Sequence, residues 1–225
     1  FNYKLYESKE SLIKVNNLSF GYTEKDVLIK NLGFSVNKGD KICVIGKNGK
    51  GKSTLLKLLA KEIEANDNSV LYHDKTKIGY FGQMNIERLN PNLSICEEIQ
   101  TSDPKAPIGN IRRVCSNVMF SGDSAHKKIS VLSGGEKSRV MLGKILLQSV
   151  NLLFLDEPTN HLDMESAEAL MSAVNNFEGA VVMVTHDESF LKKIANKLII
   201  YDNGRVFMHD DEYKHFLKKV GWQDV

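Results

Sequence analysis

The sequence predicts an α/β fold with a mainly parallel core sheet, an antiparallel β lobe and a helical lobe. Three observations carry this expectation: apolar runs of strand length, a glycine-rich loop set between one such run and a helical pattern, and a proline-punctuated helical stretch in mid-chain. Asn151-Leu152-Leu153-Phe154-Leu155-Asp156 and Ala180-Val181-Val182-Met183-Val184-Thr185 lack polar alternation. That pattern belongs to strands covered on both faces, as the strands of parallel sheets are. Ligands of open parallel sheets bind beyond the carboxyl ends of the strands, which makes Asp156, Glu157 and His186 candidate site residues. Taken alone, the first of these runs is equally consistent with a buried strand capped by incidental surface acids, and a lone His186 with a structural role.

In chain order, residues 11–40 contain short strand-like stretches, Leu12 to Val15 and Leu32 to Val36, broken by Asn and Gly, which suggest the antiparallel lobe. Lys41 to Ile45 reads as a short buried strand, and Ser53 to Ala60 as a helix. Between them runs Gly46-Lys47-Asn48-Gly49-Lys50-Gly51-Lys52-Ser53, with Thr54 next, the spacing of a phosphate-binding loop. Glycines let consecutive N–H groups turn inward toward phosphate oxygens, and the following helix adds the positive end of its dipole. Lys52 is placed to reach the outer phosphates and the Ser53 hydroxyl to ligate Mg²⁺.

Residues 84–131 are the least regular part, with Pro91, Pro104 and Pro107 and helical pattern at Ser94 to Gln100 and Ile108 to Phe120. Leu132-Ser133-Gly134-Gly135-Glu136 then opens a helix that continues to Leu147. Ser133 and Glu136 have the spacing of a capping box, which needs no ligand. The same hydroxyl, amides and dipole also suit an anion, and the two roles are compatible. Further helices are expected at Met164 to Phe177 and Glu188 to Asn196, and a hairpin with Asn203-Gly204 at its tip.

Composition narrows the function classes. The 225 residues, 42% hydrophobic, suit a single domain and can bury a sizeable core. Neither a signal-peptide pattern nor an apolar run of membrane-span length occurs, and Cys43, Cys96 and Cys115 have no metal-binding spacing, so a reducing, cytoplasmic setting is expected. A net charge of +2 gives no global field for nucleic acid, and the basic pairs Arg112-Arg113, Lys127-Lys128 and Lys218-Lys219 read as solvated surface.

Together these motifs make nearly the whole chain resemble the nucleotide-binding domain of the ABC ATPases, a P-loop NTPase fold. The resemblance implies Mg²⁺-dependent ATP hydrolysis. On it, Tyr22 of Phe20-Gly21-Tyr22 matches the aromatic that stacks on adenine, with Phe20 as competitor, and Gly46 to Ser53 match the Walker A loop. Gln83 matches the glutamine that senses Mg²⁺ and the attacking water. Asp156 and Glu157 match the Walker B pair, with Asp156 on the Mg²⁺ shell and Glu157 as base, and His186 matches the switch histidine. Ser133, Gly134, Gly135 and Glu136 match the signature, which in this family closes over ATP held by a second ABC domain.

The run Glu157-Pro158-Thr159-Asn160-His161-Leu162-Asp163 resembles the ABC-F group, whose members carry two ABC domains on one polypeptide and act on the ribosome. Asn160, His161 and Asp163 are then read as a loop facing the partner domain. The chain starts at Phe1 and holds one such domain, so Phe1 to Glu10 is expected to be the end of an upstream linker and 11–225 the domain, the second of a pair, with its helical lobe at about 84–131. Expected partners are a second ABC domain and, for the full-length protein, the ribosome. The alternative is the ATPase subunit of an ABC transporter, with a membrane partner docked near Gln83 and the helical lobe.

Overall fold

The computed structural model describes residues 10–23, 26–64, 68–82, 86–160, 162, 164–202 and 205–209. Two sheets form the frame. A three-stranded antiparallel sheet joins β1 (Ile13–Thr23) to β2 (Asp26–Val36) on one side and to β4 (Val70–Tyr72) on the other. The six-stranded sheet has the order β5-β6-β7-β3-β8-β9, with β3 at Lys41–Gly46, β5 at Ile78–Phe81, β6 at Leu152–Asp156, β7 at Ala180–Val184, β8 at Lys197–Asp202 and β9 at Arg205–His209. Its pairings are parallel except for β9, which runs antiparallel along β8 at one edge.

The unbroken apolar runs follow from this placement, because each central strand has two covered faces. Along β6, Leu152 and Phe154 pack toward the antiparallel sheet and α1 (Lys52–Leu59), while Leu153 and Leu155 pack on the opposite side. That opposite side is closed by α5 (Met164–Asn175) and α6 (Glu188–Ile194), through Leu170, Val174, Phe190 and Leu191. Strands β3 and β7 alternate likewise: Val44 and Val182 face one cluster, Cys43 and Met183 the other.

A third cluster belongs to the helical lobe. It joins α2 (Ile95–Gln100), α3 (Ile108–Asn117) and α4 (Gly134–Leu147) through Ile95, Ile99, Ile111, Val114, Val140 and Leu147. Ser94 starts α2 and Ser133 starts α4, each with a reciprocal capping box. A buried Glu98 on α2 pairs with Lys144 on α4, so the lobe has an ionic brace inside its apolar packing. Helix α3 ends at Asn117, three residues before the expected Phe120, where Met119 takes the left-handed φ of 66° that no helix continues through.

Polar side chains fasten the amino ends of the parallel strands. Lys41 is 8% exposed, and its ammonium donates to the carbonyls of Phe177 and Gly179, just before β7. Burial pulls its pKa down to about 8. Asn196, ahead of β8, accepts from the Lys41 N–H at 2.8 Å. Asn151, ahead of β6, accepts from the Lys77 N–H at 2.8 Å and donates to the Lys75 carbonyl at 2.9 Å. Asp40 pairs with Lys197 at 3.0 Å.

Replacing Asn151 by Ala strands both of those backbone groups, and a loss of about 2–3 kcal/mol in unfolding free energy is expected from urea titration.

Candidate functional site

At the carboxyl end of β3 the chain turns sharply through three glycines with positive φ: Gly46 at 147°, Gly49 at 74° and Gly51 at 96°. Packing explains the first. A Cβ on Gly46 would lie 2.6 Å from the Tyr201 Cβ and 2.8 Å from the Tyr201 carbonyl, so the loop closes directly on β8. The Tyr201 hydroxyl also donates to the Gly51 carbonyl at 3.3 Å, holding the far side of the turn. Lys47, Asn48, Gly49 and Lys50 form an exposed arch between these two anchors. Helix α1 begins at Lys52 with no side-chain cap, which leaves its first N–H groups facing the arch.

Lys52 is buried and reaches back across the loop. Its ammonium donates to the Gly46 carbonyl at 2.7 Å, the Lys47 carbonyl at 3.1 Å and Asn48 Oδ1 at 3.3 Å. Burial lowers its pKa, opposed by the negative charges of Glu157 and Asp156. Ser53 Oγ donates to Asp156 Oδ1 at 2.8 Å, joining the start of α1 to the end of β6. Asp156 Oδ2 accepts from the Tyr80 hydroxyl at 3.4 Å, a long bond from near the carboxyl end of β5. Sequence reading missed Tyr80 and Tyr201, since an aromatic inside a strand carries no signal of what its hydroxyl meets.

Glu157 continues the β6 ladder for one bond and then leaves it. Its N–H donates to the Val184 carbonyl at 2.9 Å, and its φ is 47°, a left-handed backbone on a non-glycine residue. Asn160 N–H then donates to the Glu157 carbonyl at 3.2 Å, so the turn after the strand is fixed by backbone bonds. His186, two residues past the end of β7, brings Nε2 to 3.2 Å from Glu157 Oε1. Burial raises the Glu157 pKa above its ordinary value, with His186 acting in the opposite direction. Neighbouring Thr185 and Asp187 set the start of α6, where Asp187 Oδ1 accepts from the Ser189 N–H at 2.8 Å.

Tyr22 is 61% exposed and its hydroxyl lies 3.3 Å from Thr54 Oγ1, beside the start of α1. Phe20 is 8% exposed, packs in the core and meets the Tyr22 ring edge-on at 5.4 Å. Of the two aromatics, only Tyr22 offers a face to a base. Ser133 and Glu136 spend their bonds inside the helical lobe: Ser133 Oγ accepts from the Glu136 N–H at 3.3 Å, and Glu136 accepts from the Ser133 N–H at 2.8 Å. A Cβ on Gly134 would meet nothing within 4 Å. Gln83, His161 and Asp163 lie outside the described residues.

A family model described as ABC transporter matches residues 29–160, the stretch that runs from β2 through the phosphate loop and the helical lobe to the acidic end of β6. The chain belongs to the ABC transporter family. This ABC domain is 37% identical over 211 residues to ATP-binding cassette sub-family F member 3 of Mus musculus, covering 92% of the chain and 30% of that protein. It is 35% identical over 213 residues to ABC transporter F family member 5 of Arabidopsis thaliana, covering 94% of the chain and 31% of the relative. The chain thus spans about a third of the length of these relatives. Its fold is also that of a bacterial Atm1-family ABC exporter solved with ATP bound, with a TM-score of 0.81 at 19% identity, over 95% of this chain and 41% of the exporter's. It is an ABC ATP-binding domain. Among the described residues no helix is long and apolar enough to cross a membrane.

The glycines of the loop are not equivalent. Gly46→Ala combines a positive φ with a Cβ placed 2.6 Å from Tyr201, whereas Gly49→Ala meets open space and carries only the backbone strain. Calorimetry is expected to show a loss of roughly 3 kcal/mol or more for Gly46→Ala against about 1 kcal/mol for Gly49→Ala.

Proposed function

We propose that this domain binds and hydrolyses ATP as part of an ABC-F type translation factor or ribosome-protection protein. The observation that carries the hydrolytic reading is the convergence of Lys52, Ser53, Asp156, Glu157 and His186 at the carboxyl ends of β3, β6 and β7. The sub-family F names of the relatives and the Asn160-His161-Leu162-Asp163 run support the ABC-F part.

In this reading the N–H groups of Gly46 to Thr54 hold the phosphates, Lys52 exchanges its loop carbonyls for β and γ oxygens, and the adenine stacks on Tyr22. Ser53 Oγ and Asp156 Oδ1, two hard oxygen donors already side by side, fit an Mg²⁺ site, with Gln83 as a further ligand. Bound there, the ion neutralises charge on the phosphate oxygens. Glu157 accepts the proton of the attacking water; its raised pKa makes it a stronger base than an exposed carboxylate. His186 holds the Glu157 carboxylate from one side and leaves the other oxygen for the water. Ser133 Oγ already accepts one bond, so its own proton is left to donate to a phosphate of a second domain's ATP. The open space at Gly134 lets that phosphate approach the backbone. Asn160, His161 and Asp163 are assigned the contact with the partner domain.

Glu157→Gln is expected to keep ATP affinity while slowing turnover by about 10²- to 10⁴-fold. Unchanged turnover removes Glu157 from the base role. In the unaltered chain, kcat/KM falls as acid protonates Glu157, and the midpoint of that limb lies above 4.5, the ordinary value for this carboxyl. Specific activity should rise with protein concentration, because Ser133 to Glu136 act on the nucleotide of another domain. The biological reading is tested by sedimenting the full-length Glu157→Gln protein with purified ribosomes. Pelleting that requires ATP supports it. ATP binding without pelleting points instead to a transporter subunit.

A further inference from the structure

The helical lobe holds a second reactive feature, remote from the phosphate loop. Cys96, in the first turn of α2, and Cys115, near the end of α3, bring their sulfur atoms to 3.2 Å, although 19 residues separate them in the chain. Cys96 is partly exposed, and Cys115 is 1% exposed. Both are free thiols, as is Cys43, which lies wholly buried in the other core cluster. Sulfur atoms at this separation need only small side-chain rotations to reach bonding distance.

We propose that Cys96 and Cys115 form an oxidative modification site: a hydroperoxide converts the pair to a disulfide that staples α2 to α3. The Cys96 thiolate attacks a peroxide oxygen, the O–O bond breaks, and the departing hydroxide takes up a proton, leaving Cys96 as a sulfenic acid. The Cys115 sulfur then attacks the Cys96 sulfur, the S–O bond breaks, and the hydroxide leaves with the Cys115 proton as water. Two thiols and one hydroperoxide thus give one disulfide, one water and one further water or alcohol, the peroxide being reduced by two electrons. The order is set by access. Cys96 is the sulfur that a solvent-borne oxidant can reach, while burial pushes the Cys115 thiol up to about 12, so it serves as the resolving group.

The position of the pair gives the staple a consequence. Backbone bonds tie α2 and its lead-in to the segment before the signature: Ile95 N–H to the Lys127 carbonyl at 3.0 Å, Ile129 N–H to the Leu93 carbonyl at 2.9 Å and Ser130 N–H to the Pro91 carbonyl at 3.1 Å. Glu98 braces α2 to α4, which starts at the signature glycines. Fastening α2 to α3 therefore stiffens the element on which Leu132 and Ser133 are mounted. The chemistry of the pair does not depend on the hydrolytic reading.

The test treats the full chain with hydrogen peroxide, quenches it, and alkylates it in denaturant. The expected product has lost two hydrogens, keeps one alkylatable thiol at Cys43, and yields a Cys96–Cys115 linked peptide. Its melting temperature should rise by roughly 5–10 °C and return on addition of dithiothreitol. Cys115→Ser should accumulate a dimedone-reactive sulfenic acid at Cys96, and Cys96→Ser, at the more exposed position, should resist oxidation altogether. Sulfinic acid at Cys96 in the unaltered chain, a disulfide between two chains, or three alkylatable thiols after peroxide would each overturn the proposal.

Discussion

The site depends on one close contact, the seating of Gly46 against Tyr201. Because β3 lies between β7 and β8, its last residue has no room for a side chain, and the chain must leave the sheet through a conformation that only glycine takes easily. That exit sets where α1 begins, hence where Lys52 and Ser53 stand. Ser53 meets Asp156 because β6 is one strand away across β7, and Glu157 meets His186 because β6 and β7 are neighbours in register, Asp156 opposite Val184. Residues more than 100 positions apart are thus brought together by strand order alone.

The electrostatics at this edge are balanced internally. Lys52 is satisfied by loop carbonyls, Asp156 by a hydroxyl on each oxygen, and Glu157 by an imidazole. Nucleotide binding in such a site exchanges one set of partners for another, so affinity reflects the difference between two well-bonded arrangements. Burial still leaves its mark, since Glu157 is held above and Lys52 below their ordinary pKa values.

The core strands were legible in the sequence because burial on both faces removes all polar alternation, and the loop was legible because each of its glycines and its lysine has a separate steric or electrostatic reason to be there. Strand order was not legible: nothing in Leu152 to Asp156 says that β7 and not β3 lies beside it. Resemblance to the ABC ATPases named residues that share a site without giving the order of the strands that bring them together. The nearness of Cys96 to Cys115 escaped for the same reason, as two helices joined by a loop can place any of their faces together. Polar residues ahead of the strands were passed over too. Lys41 and Asn151 read only as the first residues of apolar runs, and Asn196 as the last of a helix, until their carbonyl and amide partners are seen.

Those latches lie at the amino ends of the parallel strands, and every residue proposed for phosphate chemistry on these strands lies at the carboxyl ends. Cohesion and reactivity are therefore assigned to opposite rims of one sheet, about five residues apart along each strand. Side-chain changes at Lys52, Asp156 or Glu157 leave Lys41, Asn151 and Asn196 in place, so under the proposed reading such a chain has room to alter its turnover, or lose it, and keep the same core.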